Sequence, residues 1–338
     1  MRNWRAAVGA ALSLALLWWA LRDVELPQVW RALQGARTTY LALAALLATA
    51  SFPIRALRWR YILHGAVPAA PYGALWRATA VGMMLNNLLP ARAGEIARAL
   101  MAARDVPRLP LSAALASLVV DRLFDLLAIL GLLGVAVASS HFPAQATVAG
   151  RPLGEWTGLF WALAACGFAV LLFVALFPRL TLLVWDRGVG SVAPLAARRA
   201  REIVRNFTSG LTILRHPPQA AAVLLLTLLQ WLVSGASFWI GFRAFDIQAP
   251  FSTALFLQSL VTLGVALPAA PGFFGSFEAF AVAALGVYGI DANLSISYAI
   301  GYHLVTFVPI TVIGLWHLWH MGLRIRDVTG SVPVAHRP

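Results

Sequence analysis

The sequence has 338 residues, 60% of them hydrophobic and only 12% charged, with a mean hydropathy of +0.78. A soluble domain carries about 25% charged residues, so this composition excludes an ordinary soluble enzyme. It defines an all-α polytopic membrane protein, with residues 1–338 as a single integral membrane domain. The net charge of +13 comes from arginine alone; in such a chain it reads as a topology signal and an attraction to anionic lipid, not as a nucleic-acid surface.

In chain order, Trp4–Leu21 resembles the charged and apolar parts of a signal peptide. Trp18 and Trp19 close the run with no small-residue cleavage site after them, so it reads as the first span. Residues 22–39 read as a polar connector. Tyr40–Leu63 forms the second span and ends in Arg55, Arg58, Trp59, Arg60 and Tyr61, a cluster expected at the cytoplasmic interface with arginine stems snorkelling. The apolar run Gly73–Leu89 is short for a span, which needs about 20 residues. It breaks at Pro90 and restarts after Gly94, so Tyr72–Met101 reads as a broken, re-entrant hairpin.

The third span, Leu111–Ala138, carries Asp121, Arg122 and Asp125. Residues 139–156 read as an external connector and Thr157–Phe177 as the fourth span, whose Cys166 is the lone cysteine and leaves neither a disulfide nor a cysteine metal site. Residues 178–218 hold seven arginines and read as a basic cytoplasmic connector, with Ile203, Phe207, Leu211 and Leu214 at the spacing of an amphipathic helix. Gln219–Gly241 is the fifth span, Ser252–Ile290 a second broken hairpin and Asn293–Met321 the sixth span. The expectation is about six full spans plus two broken re-entrant helical hairpins.

The two breaks share a pattern. Leu89-Pro90-x3-Gly94-Glu95 returns 178 positions later as Leu267-Pro268-x3-Gly272. The preceding helices recur at similar offsets, which makes 40–138 a first repeat and 219–321 a second. The arginine distribution places both termini in the cytoplasm and gives the repeats opposite orientation. An inverted repeat with paired, Pro/Gly-broken segments points to a transporter with its site between them.

The polar residues at these breaks are the candidate substrate-binding groups. Arg92, Glu95 and Arg98 lie at the first tip, beside Asn86 and Asn87. At the second, Gly272 and Gly275 permit close backbone approach, and Ser276 reads as the N-cap before Glu278. The freed helix N-termini suit a phosphate or carboxylate. Asp121 and Asp125, at i and i+4 on one face of the third span, fall near mid-bilayer, where carboxylates are functional by default, and Arg122 is a partner for Asp125 or Glu95. No nucleophile, cofactor or metal motif accompanies them, so a transporter is expected before an enzyme. His303 reads either as a member of the central polar network or as a core histidine, and His317 and His320 read as interfacial anchors.

With Asn86–Glu95, Val119–Asp125 and Leu267–Glu278 in that order, the chain resembles the flippase-like family that includes the membrane half of lysylphosphatidylglycerol synthases, also called UPF0104. The resemblance implies an inner-membrane protein that moves a lipid or lipid-linked headgroup between leaflets, its partners being an anionic or lipid-linked headgroup and a transferase or other biosynthetic enzyme. Two-part relatives carry a cytosolic aminoacyl-transferase domain after the membrane part. This sequence stops 12 residues beyond Arg326, so lysyl transfer is not expected of it. A membrane subunit that presents lipid to a separate transferase, and an ion or small-solute carrier, remain as alternatives.

Overall fold

The computed structural model describes residues 3–22, 24–90, 92–143, 147–148, 151–152, 157–177, 179–181, 183, 216–266 and 270–328. Within them the chain forms α1 (Asn3–Leu21), α2 (Leu26–Gly35), α3 (Thr38–Ile62), α4 (Tyr72–Leu88), α5 (Ala93–Asp105), α6 (Leu111–Val137) and α7 (Thr157–Leu176). There follow α8 (Pro217–Ala244), α9 (Phe251–Gly264), α10 (Ser276–Val287), α11 (Ala292–His320) and α12 (Ile325–Val328). The one sheet among the described residues is a two-residue pairing of Thr147–Val148 with Arg151–Pro152.

Three described helices are long and apolar enough to cross a membrane: Thr38–Gly65, Pro217–Ala244 and Ala292–His320. Helix α6 matches them at 27 residues but carries Asp121, Arg122 and Asp125. The connector after α1 departs from expectation, because Leu26–Gly35 is helical. It starts with Pro27 in its first turn, where a missing N–H costs nothing, and packs on α11. The expected amphipathic helix at Ile203–Leu214 lies outside the described residues.

Proline marks the start of α4 and of α9 and the end of α4. Pro71 and Pro250 precede α4 and α9. Leu89, held before Pro90 at φ −118° and ψ 145°, leaves the helical region and ends α4. Helix α5 restarts from Arg92, a non-glycine residue in the left-handed conformation at φ 53°. The second break is longer: a 3-10 turn at Pro271–Phe273 intervenes, and α10 restarts from Gly275 at φ 84°. Gly275, not Ser276, is therefore the N-cap, because the left-handed turn falls one residue earlier than the hydroxyl.

Helices α3 and α8 pack along their length and run antiparallel. The Arg37 N–H donates to the Ala244 carbonyl at 2.9 Å, Ser237 Oγ to the Ala44 carbonyl at 2.7 Å and an Arg58 nitrogen to Thr227 Oγ1 at 3.3 Å. Helices α4 and α11 are antiparallel too: Asn87 reaches Thr311 at 2.7 Å while Trp76, a turn or more earlier, meets His317 near the far end. Correspondingly, α9 packs on α6. Association in lipid relies on close approach more than on apolar burial, and glycine supplies it where α4 crosses α5. A Cβ on Gly94 would overlap the Gly82 carbonyl, and one on Gly82 would lie 2.9 Å from the Arg98 Cβ. One buried cluster gathers Trp59, Leu75, Met84 and Phe124 around this crossing; a second gathers Phe242, Leu257, Ala281 and Tyr298 around α8–α11.

Candidate functional site

The tight α4–α5 crossing presses α5 against α6 and puts its polar side chains into the protein interior. Arg98 and Asp121 are fully buried, and their side chains meet at 3.2 Å. Asp121 also takes both Nε and a terminal nitrogen of Arg58, at 2.8 and 2.5 Å, and lies 3.5 Å from Arg55 Nε. One turn on, Asp125 accepts from Arg58 at 2.9 Å, from Trp231 Nε1 at 3.0 Å, from Arg122 at 3.3 Å and from Arg55. Arg122 in turn pairs with Glu95, which Asn86 approaches at 3.5 Å. The face of Trp59 covers the Arg98 guanidinium at 4.1 Å, and Trp59 Nε1 is held by Ser117 at 2.8 Å.

The cluster thus holds four guanidinium groups, Arg55, Arg58, Arg98 and Arg122, against three carboxylates, Glu95, Asp121 and Asp125. Burying ions costs several kcal/mol each, which pairing offsets only when the remaining donors and acceptors are satisfied. They are not all satisfied. Arg98 Nε and one of its terminal nitrogens have no hydrogen-bond partner, nor does Glu95 Oε2. The interior is therefore one positive charge in excess, with donors to spare. Arg122 and Glu95 are the accessible edge, their side chains 37% and 21% exposed.

The expected partnership of Arg122 with Asp125 or Glu95 is found with both carboxylates. The placement of Arg55 and Arg58 at the interface is overturned: both are buried in the cluster and Arg58 is wholly enclosed. They stand at i and i+3, on the same face as each other, and answer the i, i+4 carboxylates of α6. The matched i, i+3 and i, i+4 spacings carry the signal in the sequence.

The second tip is a separate arrangement. Glu278 Oε2 accepts the Gly275 N–H at 2.6 Å, capping α10, while Oε1 meets His303 Nδ1 at 2.7 Å. His303 stacks on Phe277, at 4.3 Å between centroids, and meets Phe274 in a tilted contact at 4.6 Å. The space that Gly275 leaves open is taken by the backbone carbonyl of Ser13 in α1, and that beside Gly272 by the rings of Phe274 and Phe307. These glycines admit neighbouring protein atoms. Ser276 Oγ is buried without a partner. Arg92 links the two tips: it donates to the Val265 carbonyl at 2.8 Å and lies 5.8 Å from the Phe273 ring. Asn87 is turned away, to Thr311 and the Phe307 carbonyl. Among the described residues no three His, Cys, Asp or Glu side chains converge as a metal set.

An apolar-helical fold wrapped around a buried arginine–carboxylate cluster defines an integral membrane protein with a polar interior site. The chain belongs to the family of the lysylphosphatidylglycerol synthase TM region, whose model matches residues 6–314. A UPF0104 membrane protein of Methanothermobacter thermautotrophicus is 25% identical over 91% of this chain and 90% of its own length. A second UPF0104 membrane protein of that organism is 23% identical over 85% of each chain. Glycosyltransferase AglD of Haloferax volcanii is 35% identical over 137 residues, 39% of this chain but 22% of the relative.

Proposed function

We propose that this protein moves a phosphate-bearing lipid, or a lipid-linked precursor, between leaflets, its anionic headgroup passing through the arginine cluster. The observation that carries this reading is the unbalanced, unsaturated interior: a fourth guanidinium beyond the three carboxylates, with two Arg98 donors unpartnered. A phosphate brings negative charge and several acceptor oxygens, and arginine binds it in forked geometry. The headgroup enters at the exposed Arg122–Glu95 edge; Arg98, Arg92 and Asn86 are the next groups it meets. Asp121 and Asp125 hold the arginines in place, and Asn87, Gly272, Gly275, Ser276 and Glu278 shape the helix breaks. No chemistry on the lipid is assigned to these residues.

The same reading takes residues 40–138 and 219–321 as an inverted repeat within six spans and two re-entrant hairpins. Helix order supports it, as do the antiparallel α3–α8 and α4–α11 pairs and two side-chain pairs in like positions: Glu95 with Arg122, and Glu278 with His303. In such a repeat one half rocks against the other around a fixed site. The protein would sit in the plasma (inner) membrane with both termini and residues 178–218 on the cytoplasmic side.

The test is mass spectrometry of lipids that stay bound when the protein is purified in mild detergent. Enrichment of one phosphate-bearing lipid, lost in Arg122→Gln, is the expected result; bulk lipid, unchanged by the substitution, contradicts it. The match to part of a longer protein named a glycosyltransferase favours one second reading, a membrane subunit that presents lipid to a separate transferase. A transferase that co-purifies, together with no leaflet exchange by this chain alone, would select it.

A further inference from the structure

A cavity of about 290 Å³ lies between α6, α7 and α8, walled by apolar side chains including Phe124, Trp161, Phe168 and Leu228. Its inner wall is Thr227, whose hydroxyl receives a hydrogen bond from Arg58 of the ion cluster. Phe124, also in the wall, directly precedes Asp125. The cavity therefore begins one side chain away from the charged groups and continues as pure hydrocarbon. Helix α7 packs against α6, with Gly134 and Gly167 admitting Trp161 and Leu127 at van der Waals range or closer. The cavity lies beside this contact, with Trp161 and Phe168 of α7 and Leu224 and Leu228 of α8 facing it.

We propose that this cavity holds a segment of one hydrocarbon chain of the same lipid whose phosphate is bound at the arginine cluster. The inference rests on the phosphate-site reading and extends it: the substrate class is an amphiphile with an anionic head and at least one linear chain, bound by both ends. The size suits a single chain segment, since about 290 Å³ lies just below the roughly 300–1,000 Å³ of small-ligand sites. The apolar wall supplies no partner for a polar group, and an apolar chain needs none. Thr227 is the junction. It closes the chain site on one side and accepts a hydrogen bond from Arg58 on the other, so the chain site adjoins the ion cluster across a single side chain.

The full chain in vesicles would be labelled with dodecyl phosphate carrying a photoreactive diazirine at its terminal carbon, and separately with dodecanol carrying the same group. The phosphate probe is expected to label α6, α7 and α8 peptides around Phe168 and Leu228 in preference to other lipid-facing helices. Ala164→Trp, which fills the cavity, is expected to cut that labelling by about tenfold, as loss of a few methylene contacts would. Gly131→Leu fills it from α6 and keeps the test valid if the tryptophan variant does not fold. Labelling spread evenly over lipid-facing helices and indifferent to both substitutions would overturn the chain site. In that case, phosphate-probe binding that still requires Arg122 leaves the headgroup reading standing. Equal cavity labelling by the phosphate and alcohol probes, unaffected by Arg122→Gln, would instead overturn the shared occupancy and the headgroup reading with it.

Discussion

Arg92 reaches from the first helix break to the second, its guanidinium donating to the backbone carbonyl of Val265 at 2.8 Å. Val265 caps α9 and Arg92 caps α5, so one side chain ties together the two helix breaks. If the halves move relative to each other, this contact must break and re-form. Arg92 also holds a left-handed backbone that L-residues adopt at a cost of about 1–2 kcal/mol. Arg92→Gly relieves that cost while removing a hydrogen bond of about 1 kcal/mol. It is expected to leave thermal stability almost unchanged and to impair leaflet exchange. A parallel melt and exchange assay checks both parts, and normal exchange would remove the tie from the mechanism.

Asp121 faces three arginines with no access to water. Asp121→Asn leaves Arg55, Arg58 and Arg98 with only two carboxylates between them and their neighbours, and breaking a buried ion pair in this way costs about 3–5 kcal/mol. The variant is expected to lose expression and thermal stability, not merely transport. Pairing it with Arg58→Met removes one charge of each sign and should recover part of the loss. Additive loss in the double variant, measured by detergent-solubilised melting, would mean that the two residues do not share a network.

Glu95 differs, because it lies at the accessible edge and Arg122 retains Asp125 as a partner. Glu95→Gln is expected to cost little stability and to reduce exchange strongly. A large drop in melting temperature with exchange intact would contradict the assignment.

Gly94 and Gly286 make a matched pair. A Cβ at Gly94 collides with the Gly82 carbonyl, whereas one at Gly286 meets nothing within 4 Å. Gly94→Ala should destabilise by about 1–3 kcal/mol through forced separation of α4 and α5. Gly286→Ala, in the last turn of α10, should be neutral or gain up to about 1 kcal/mol from helix propensity. Equal melting temperatures for the two variants would contradict the close crossing.

Glu278 performs two tasks, capping α10 and holding His303. Glu278→Ala leaves the Gly275 N–H and the imidazole without partners inside the protein, at about 1–3 kcal/mol. Glu278→Gln keeps an acceptor for the cap and should cost less. Melts of the two variants in the same detergent decide this, with equal losses assigning the whole effect to the charge.

Helix positions were legible in the sequence because apolar runs of span length have few alternatives: α3, α7, α8 and α11 fall within about three residues of the runs that foretold them. Proline and glycine likewise marked both breaks. Three features were not legible. Helix α2 is short and arginine-bearing, so it read as a connector until its packing on α11 supplied the reason to fold. The second break restarts at Gly275 because a 3-10 turn lengthens it, and residue spacing carries no mark of that turn. Arg55 and Arg58 looked interfacial since a run of arginines beside tryptophan has the same composition whether it meets headgroups or carboxylates. Only the pairing with Asp121 and Asp125, 63 to 70 positions away in the chain, separates the two.

Passage of an anionic headgroup across the membrane through the arginine cluster is directly measurable. Purified protein in vesicles holding a trace of fluorescent phosphatidylglycerol or a fluorescent polyprenyl phosphate, with dithionite added outside, measures this by the fraction of inner-leaflet dye that becomes reducible. The account predicts protein-dependent exchange of a phosphate-bearing lipid, with Glu95→Gln and Arg122→Gln slow yet folded. Exchange at the rate of protein-free vesicles for every phosphate lipid tried, or exchange indifferent to both substitutions, would contradict it.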